Sequence, residues 1–280
     1  MQKRFLFNGK IVEQGQAVIS AANKAAFFGY GVYESIRVFR GKPFYLEWHL
    51  KRFFESARAI EIEVPYSPEE LSALTRSLIE KNNLDDALIR LVYYGKTEKE
   101  GGILAGFPMG FHYYPDRAYS KGMSAVTFRH ERILPHAKTL SLLGGFLGLR
   151  EAAKKGAIEA LFVNRKGEVT EGTRSNFFIV DKNGKLITAP NATVLEGITR
   201  KVLIDNLPRD ISFCERSIPL EEIFSAKEVF ATSTVFGVMP LVEIDGKKIG
   251  GGKAGEITKR LGSLYSAHVK ENCSKPESHG

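Results

Sequence analysis

The chain has 280 residues, 43% of them hydrophobic and 26% charged, with a net charge of +8. That length can bury one large core or two ordinary ones, and the composition is that of a globular protein rather than a disordered or fibrous one. Lys and Arg are interleaved with acids, as in KTEKE and REAAKKGAIE, so neither a basic block nor a zinc-ligand spacing points to nucleic acid, and the positive field suits small anionic molecules. Cys214 and Cys273 are too far apart in sequence to form a redox or metal-ligand motif, and no metal site is expected. The opening MQKRFLFNGKIVEQ lacks an apolar region leading to a small-residue cleavage site. No stretch approaches the roughly 18 apolar residues of a membrane span, so a cytoplasmic protein with no membrane or nucleic-acid partner is expected.

The first third is rich in hairpins. FLFNGKIV predicts two strands around Asn8-Gly9, and VYESIRVFRGKPFYL repeats the pattern around Arg40-Gly41. Leu50, Phe53, Phe54 and Ala57 fall at helical spacing. A second helix opens at SPEE, with Ser67 as N-cap, Pro68 in the first turn and Glu70 as capping-box partner. LIRLVYYG is a strand, and the glycine-rich stretch from Gly95 to Gly110 reads as a mobile loop. FHYYPDRAYSKG reads as a linker, giving domains 1–115 and 121–280 joined near 115–120. Beyond it, SAVTFRHER is strand-like, and LSLLGGFLGLREAAKKG is helical and capped at Gly156. IEALFVNRKGEVTEGTRSNFFIVDKNGKLIT is a meander, GITRKVLIDNL a helix, and VEIDGKKI another hairpin. The sum is an α+β protein of two domains with antiparallel or mixed sheets.

Several residues sit oddly in this pattern. Glu171 and Arg174 lie in VTEGTRSN, immediately before the apolar run FFIV. A solvated turn explains such a pair when it stands alone. Lys138, in ILPHAKTLSLL, falls between a strand and a helix. Most such lysines face water, but one buried beside apolar neighbours would have a lowered pKa and could act as a Schiff-base amine. Gly144 and Gly145 inside the next helix cost roughly 1 kcal/mol each against alanine, which suggests a close approach of backbone or ligand. In LEGITRKVL, Gly197 leads into a helix whose first N–H groups, on Ile198 and Thr199, can cradle an anion. Thr232, Ser233 and Thr234 in ATSTVFG can cap a turn or bind the same anion. Arg52, in WHLKRFF, can add a charge-assisted bond to it or simply snorkel.

Taken in order and spacing, FGYGVYESIRVFRGKPFYLEWHLKRFFESA, the Lys138 segment, VTEGTRSNFF, LEGITRKV and FATSTVFGVMPLVEIDGK resemble the fold-type IV pyridoxal-phosphate enzymes. This family holds D-amino-acid aminotransferases, branched-chain aminotransferases and aminodeoxychorismate lyases, and the resemblance runs from Phe7 to Leu264. It implies a two-domain fold with pyridoxal 5'-phosphate at the domain junction, usually in a homodimer. It implies Lys138, carried by the C-terminal domain, as the Schiff-base lysine, with Glu171 facing the pyridine nitrogen and Leu195 against the ring. Arg52, Gly197, Ile198, Thr199, Ser233 and Thr234 are implied around the phosphate, and Phe28, Tyr33, Arg90 and Arg174 around an amino-acid or 2-oxo-acid substrate.

Subfamily markers are divided. Branched-chain enzymes typically have a Gly-Glu-Asn type sequence where this chain has Thr173 to Asn176, and a tyrosine at the position of Leu143. The Lys138-Thr-Leu-Ser segment and the Ser-Asn ending are more similar to D-amino-acid aminotransferases. The Arg-x-His carboxylate trap of that subfamily is missing, since the segment reads YYGKTEKE. Arg174 is a candidate replacement, and Arg90 a second candidate of branched-chain type. The resemblance therefore implies an aminotransferase with D-amino acids favoured, branched-chain L-amino acids as the first alternative and the lyase as the second.

Overall fold

The structure is a computed structural model and describes residues 3–98, 100–111 and 113–274. The chain divides into two compact units. The first takes residues up to 111, Ala137–Ser141 and the chain from His268; the second takes 113–136 and Leu142–Ala267.

In the first unit, β1 (Arg4–Phe7) and β2 (Lys10–Glu13) form the expected hairpin, with Asn8 and Gly9 both at positive φ. There follow α1 (Lys24–Phe28), β3 (Gly31–Phe39), β4 (Lys42–Pro43), α2 (Leu46–Ala59), α3 (Pro68–Lys81), β5 (Ala87–Tyr94) and β6 (Ile103–Gly110). The sheet order is β2-β1-β6-β5-β3-β4, antiparallel throughout. Ser67 and Glu70 close the predicted capping box on α3. Val32, Ile36, Ile89 and Leu91 pack with Leu50 and Phe53 of α2 and with Leu71 and Leu78 of α3.

Two expectations fail here. The second half of the Gly95–Gly110 stretch is a strand, paired with β5 along its whole length. Its glycine answers packing rather than mobility: a Cβ on Gly106 would lie 3.1 Å from that of Leu6, with Leu78 just beyond. The segment carrying Lys138 also belongs to this unit, not to the C-terminal one. β4 covers only Val38 and Phe39 of β3, and the free edge at the other end is completed by Thr139 bridging to Val32. Tyr33 N–H donates to Lys138 O at 3.0 Å and Leu140 N–H to Gly31 O at 2.9 Å.

The second unit comprises α4 (Asp116–Lys121), β7 (Met123–Arg129), α5 (Leu143–Lys154), β8 (Glu159–Val163), β9 (Glu168–Gly172), β10 (Asn176–Val180), β11 (Leu186–Thr188), α6 (Ile198–Asp205), β12 (Phe213–Glu215), β13 (Ile218–Pro219), α7 (Leu220–Ser225), β14 (Glu228–Ser233), β15 (Gly237–Ile244), β16 (Lys247–Lys248) and the greater part of α8 (Glu256–Ser274). One mixed sheet of 10 strands runs β12-β11-β10-β14-β15-β7-β8-β9-β13, with β16 beside β15. Its parallel pairs are β15–β7, β7–β8 and β11–β12. Every residue of β8 and β10 is buried, which is why, after one polar residue each, ALFV and FFIV read as unbroken apolar runs, the pattern of strands covered on both faces. The supposed linker at 115–120 is instead helical: α4 packs on β15, and Tyr119 donates to Phe236 O at 3.1 Å. The helix expected from near Leu140 begins at Leu143, because residues 139 and 140 are held by β3. Among the described residues, no helix is long and apolar enough to cross a membrane.

Candidate active site

In the first unit, candidate residues gather at the N-terminal end of β3 and on α2. Lys138 is half-buried, and its Nζ lies 4.5 Å from the centroid of the Tyr33 ring. The Arg90 guanidinium lies 4.7 Å from the same centroid. One aromatic ring thus faces two cations, an attraction between charge and ring quadrupole. The backbone of Lys138 is held as firmly as its side chain. Its N–H donates to Ser56 Oγ at 3.0 Å, and that hydroxyl donates in turn to Arg52 O at 2.7 Å.

Arg52 is buried, and it does not snorkel. Its Nε and Nη2 donate to the two oxygens of Glu34 at 2.7 and 2.8 Å, while His49 Nδ1 lies 2.8 Å from Glu34 Oε2. Glu34 and His49 have no exposed surface. Burial alone would raise the Glu34 pKa, but the Arg52 guanidinium and His49 hold it well below the usual carboxylate range. Burial pushes the His49 pKa down, the Arg52 and Lys138 charges push the same way, and Glu34 opposes them. A neutral imidazole facing an acceptor-only carboxylate carries its proton on Nδ1, so Nε2 is an acceptor. That Nε2 is buried and has no hydrogen-bond partner. Neither Glu34 nor His49 stands out in the sequence. The available signal was a carboxylate on an inward position of β3 and a histidine one turn before Arg52.

In the second unit, Glu171, next to last in β9, is almost fully buried, and its two oxygens have separate partners. Arg132 Nη1 donates to Oε1 at 3.0 Å, and the Leu195 backbone N–H donates to Oε2 at 3.1 Å. Arg132 is steadied by Pro135 O at 3.1 Å. Glu171 is therefore no solvated turn residue, and nothing in the sequence marks Arg132 as its partner. Leu195 O accepts from Asn176 Nδ2 at 2.7 Å. A Cβ on Gly197 would come within 2.1 Å of Asn176 Oδ1, so the chain enters α6 at a place open only to glycine.

Gly197 is the N-cap of α6, and no side chain caps it, although Ile198 and Thr199 are buried. A buried helix start whose N–H groups lack a side-chain acceptor is suited to an anion. Arg200, buried in the same turn, donates to Asn191 Oδ1 at 2.6 Å and Ala189 O at 3.0 Å and pairs with Glu215 at 3.0 Å. Burial pulls its pKa down, and Glu215 pulls it back up. At the end of β14, Ser233 Oγ accepts from the N–H groups of Val235 and Phe236 at 3.2 and 3.3 Å, so it caps the turn and keeps its own proton to donate. Thr232 Oγ1 is buried without a partner, and Thr234 is half-buried. Uncapped N–H groups, free hydroxyl donors and a held carboxylate fit a phosphorylated, nitrogen-containing cofactor.

Arg174 is exposed on the loop between β9 and β10, where its Nη2 donates to the Tyr114 hydroxyl at 3.3 Å. Phe28 ends α1 with 74% of its surface exposed, its ring edge-on to Phe27. The paired glycines of α5 have a packing cause. A Cβ on Gly144 would strike the His130 ring, and one on Gly145 would press on Thr173 O at 3.3 Å.

The two units and their mixed and antiparallel sheets form the fold of the fold-type IV aminotransferases. A solved branched-chain aminotransferase of the thermophilic archaeon Thermoproteus uzoniensis, with norvaline, matches with a TM-score of 0.89 at 29% identity, covering 97% of this chain and 96% of that one. The family model for amino-transferase class IV matches residues 31–244, and the chain belongs to that family. A D-alanine aminotransferase of Staphylococcus haemolyticus is 35% identical over 289 residues, 98% of this chain and 100% of that protein. A putative branched-chain-amino-acid aminotransferase of Methanocaldococcus jannaschii is 34% identical over 275 residues, 92% and 93% of the two chains. The protein is an aminotransferase.

Proposed function

We propose that this aminotransferase uses pyridoxal 5'-phosphate and that its preferred amino donor is a D-amino acid. The observation that supports the cofactor most is the held carboxylate of Glu171, between Arg132 and the Leu195 N–H, in the same unit as the uncapped start of α6. The bound cofactor would supply an electron sink for charge developing at the substrate Cα. Glu171 would keep a proton on the pyridine nitrogen, and Arg132 would keep Glu171 aimed. The N–H groups of Ile198 and Thr199 and the hydroxyls of Ser233 and Thr234 would hold the phosphate, and Leu195 would back the ring. Arg52, its plane already set by Glu34, is the phosphate-binding candidate of the first unit. Lys138 Nζ would bond the cofactor at rest and, once released, take the proton from the substrate Cα.

For the substrate carboxylate, Arg174 is the choice consistent with a D-amino acid, because it is exposed and lightly tethered. A second reading has an observation behind it: Arg90 shares the Tyr33 ring with Lys138, which suits a branched-chain L-amino acid bound from that side. A homodimer is also proposed, since Phe27 and Phe28, 79% and 74% exposed, need a cover. Borohydride reduction of the holoenzyme and peptide mapping should label Lys138; a label on another lysine overturns the assignment. A panel of D- and L-amino acids, each followed as single-turnover conversion of the cofactor to its pyridoxamine form, should show D-alanine reacting faster than L-leucine.

A further inference from the structure

Glu159 opens β8 with no exposed surface. Its carboxylate accepts four hydrogen bonds: from Ala160 N–H at 2.9 Å, Thr173 N–H at 3.0 Å, the Thr173 hydroxyl, and the Ser175 hydroxyl at 2.8 Å. Three of these four donors belong to Thr173 and Ser175, the two residues that flank Arg174. The loop is tight as well as tethered. Gly172 N–H donates to Ser175 O at 2.7 Å, and Thr173 N–H is shared with Ala160 O at 3.0 Å. A Cβ on Gly172 would fall 2.2 Å from Ser175 Oγ and 3.0 Å from the Glu159 carboxyl carbon, so the turn closes around the carboxylate only with glycine there.

Helix α5 seals the other side. Gly145 and Gly148 lie three residues apart, on one helix face. A Cβ on the first would press on Thr173 O at 3.3 Å, and one on the second would lie 2.8 Å from Thr173 Cγ2. Thr173 is therefore gripped between a bare strip of helix and a buried carboxylate. Arg174, next in sequence, projects from a rigid base although its own side chain is exposed.

We propose that Glu159 is a positioning residue for substrate recognition: its carboxylate fixes the Thr173–Ser175 loop and thereby sets where the Arg174 guanidinium stands. This rests on the reading of Arg174 as the partner of the substrate carboxylate. A buried carboxylate whose partners are chiefly neutral loop donors orders backbone without competing for the arginine, because it never pairs with the cation it positions. Misplacing a binding group by about 1 Å can cost up to about 10²-fold, so the clamp matters to KM even though Glu159 touches no substrate.

The test is a double-mutant cycle on the holoenzyme with D-alanine, or with L-leucine if the panel selects it. Glu159→Gln keeps one acceptor and turns the other into a donor facing Ser175. We expect KM to rise about tenfold with kcat changed less than about twofold, and faster deuterium exchange at the Thr173 amide. In the Arg174→Ala background, the same substitution should add less than about twofold. Ser175→Ala and Thr173→Val, each removing one donor, should shift KM the same way by less, and they carry the cycle if Glu159→Gln does not fold. Fully multiplicative effects of the Glu159 and Arg174 substitutions overturn the proposal, as does a fall in kcat with KM unchanged. If Arg174→Ala leaves KM unaltered, the Arg174 reading has failed and the positioning role falls with it; if Arg174→Ala raises KM but Glu159→Gln leaves Thr173 exchange unaltered, the proposal alone is overturned.

Discussion

Among the described residues two carboxylates are completely buried, one in each unit, and they are satisfied in opposite ways. Glu34 sits on β3 against an arginine and a histidine of α2, and Glu159 sits on β8 against hydroxyls and amides of a loop. In the first, a charge is offset by a countercharge, and the product is a guanidinium locked on a rigid helix. In the second, hydrogen bonds from a tight turn do the satisfying, and the product is a loop held in one shape while its arginine points outward. Removing a partner from the first leaves a buried charge, whereas removing a donor from the second loosens a segment. The first should therefore govern stability and the second recognition.

That division can be broken most sharply at Glu34. Glu34→Ala leaves Arg52 buried without its carboxylate, and we expect a loss of about 3–5 kcal/mol, read as a lower urea midpoint. A loss no larger than that of Ser175→Ala would erase the contrast between the two carboxylates. Next in size, Arg174→Ala should cost roughly 2–4 kcal/mol of transition-state binding, or about 30- to 1000-fold in kcat/KM for amino acids. Turnover of a carboxylate-free amine such as phenylethylamine should hardly move. Arg90→Ala is the control, and an acid-selective loss there instead would transfer the carboxylate site to the first unit and favour the branched-chain reading.

The Glu34 cluster should also respond to acid. His49 has its folded pKa lowered from 6.5, so below about pH 6.5 the unfolded chain binds a proton that the folded chain refuses, and stability falls. Glu34 has its folded pKa lowered from 4.5, so its contribution is full above about pH 4.5 and is lost as pH falls through the folded value. Each proton adds a slope of up to about 1.4 kcal/mol per pH unit. The thermal midpoint should thus decline from near pH 6.5 downward, and His49→Gln should flatten the part between pH 6.5 and 5. An unflattened curve would place that acid sensitivity outside the cluster. The smallest effect is expected at a position in neither cluster. Ser67→Ala removes one cap of α3 and should cost about 1 kcal/mol, visible in the urea midpoint and absent from KM.

Local chemistry made much of the fold legible. Asn8-Gly9, Ser67-Pro68 with Glu70, and Asp245-Gly246 each carry a turn or cap that works within four residues, and each forms as its sequence predicts. Lys138, Glu171 and the start of α6 stood out because such residues are costly where they stand unless something uses them. What sequence could not supply were the partners. Arg132 lies 39 residues from Glu171, and Glu34 lies 18 from Arg52; no periodicity links them, and only the folded sheet and helix bring the charges together.

Backbone edges and cross-strand packing decided the rest. Gly106 reads as loop until Leu6 and Leu78 are seen to need its empty face. The Lys138 segment reads as part of the second unit until the open edge of β3 claims Thr139. Elements whose causes are local, and residues whose chemistry is conspicuous, are legible in the sequence alone. Tertiary structure alone decided which unit holds the lysine, which arginine steadies Glu171 and how the Arg174 loop is gripped, because unpaired backbone and buried charge are satisfied by whatever the fold places within about 3 Å.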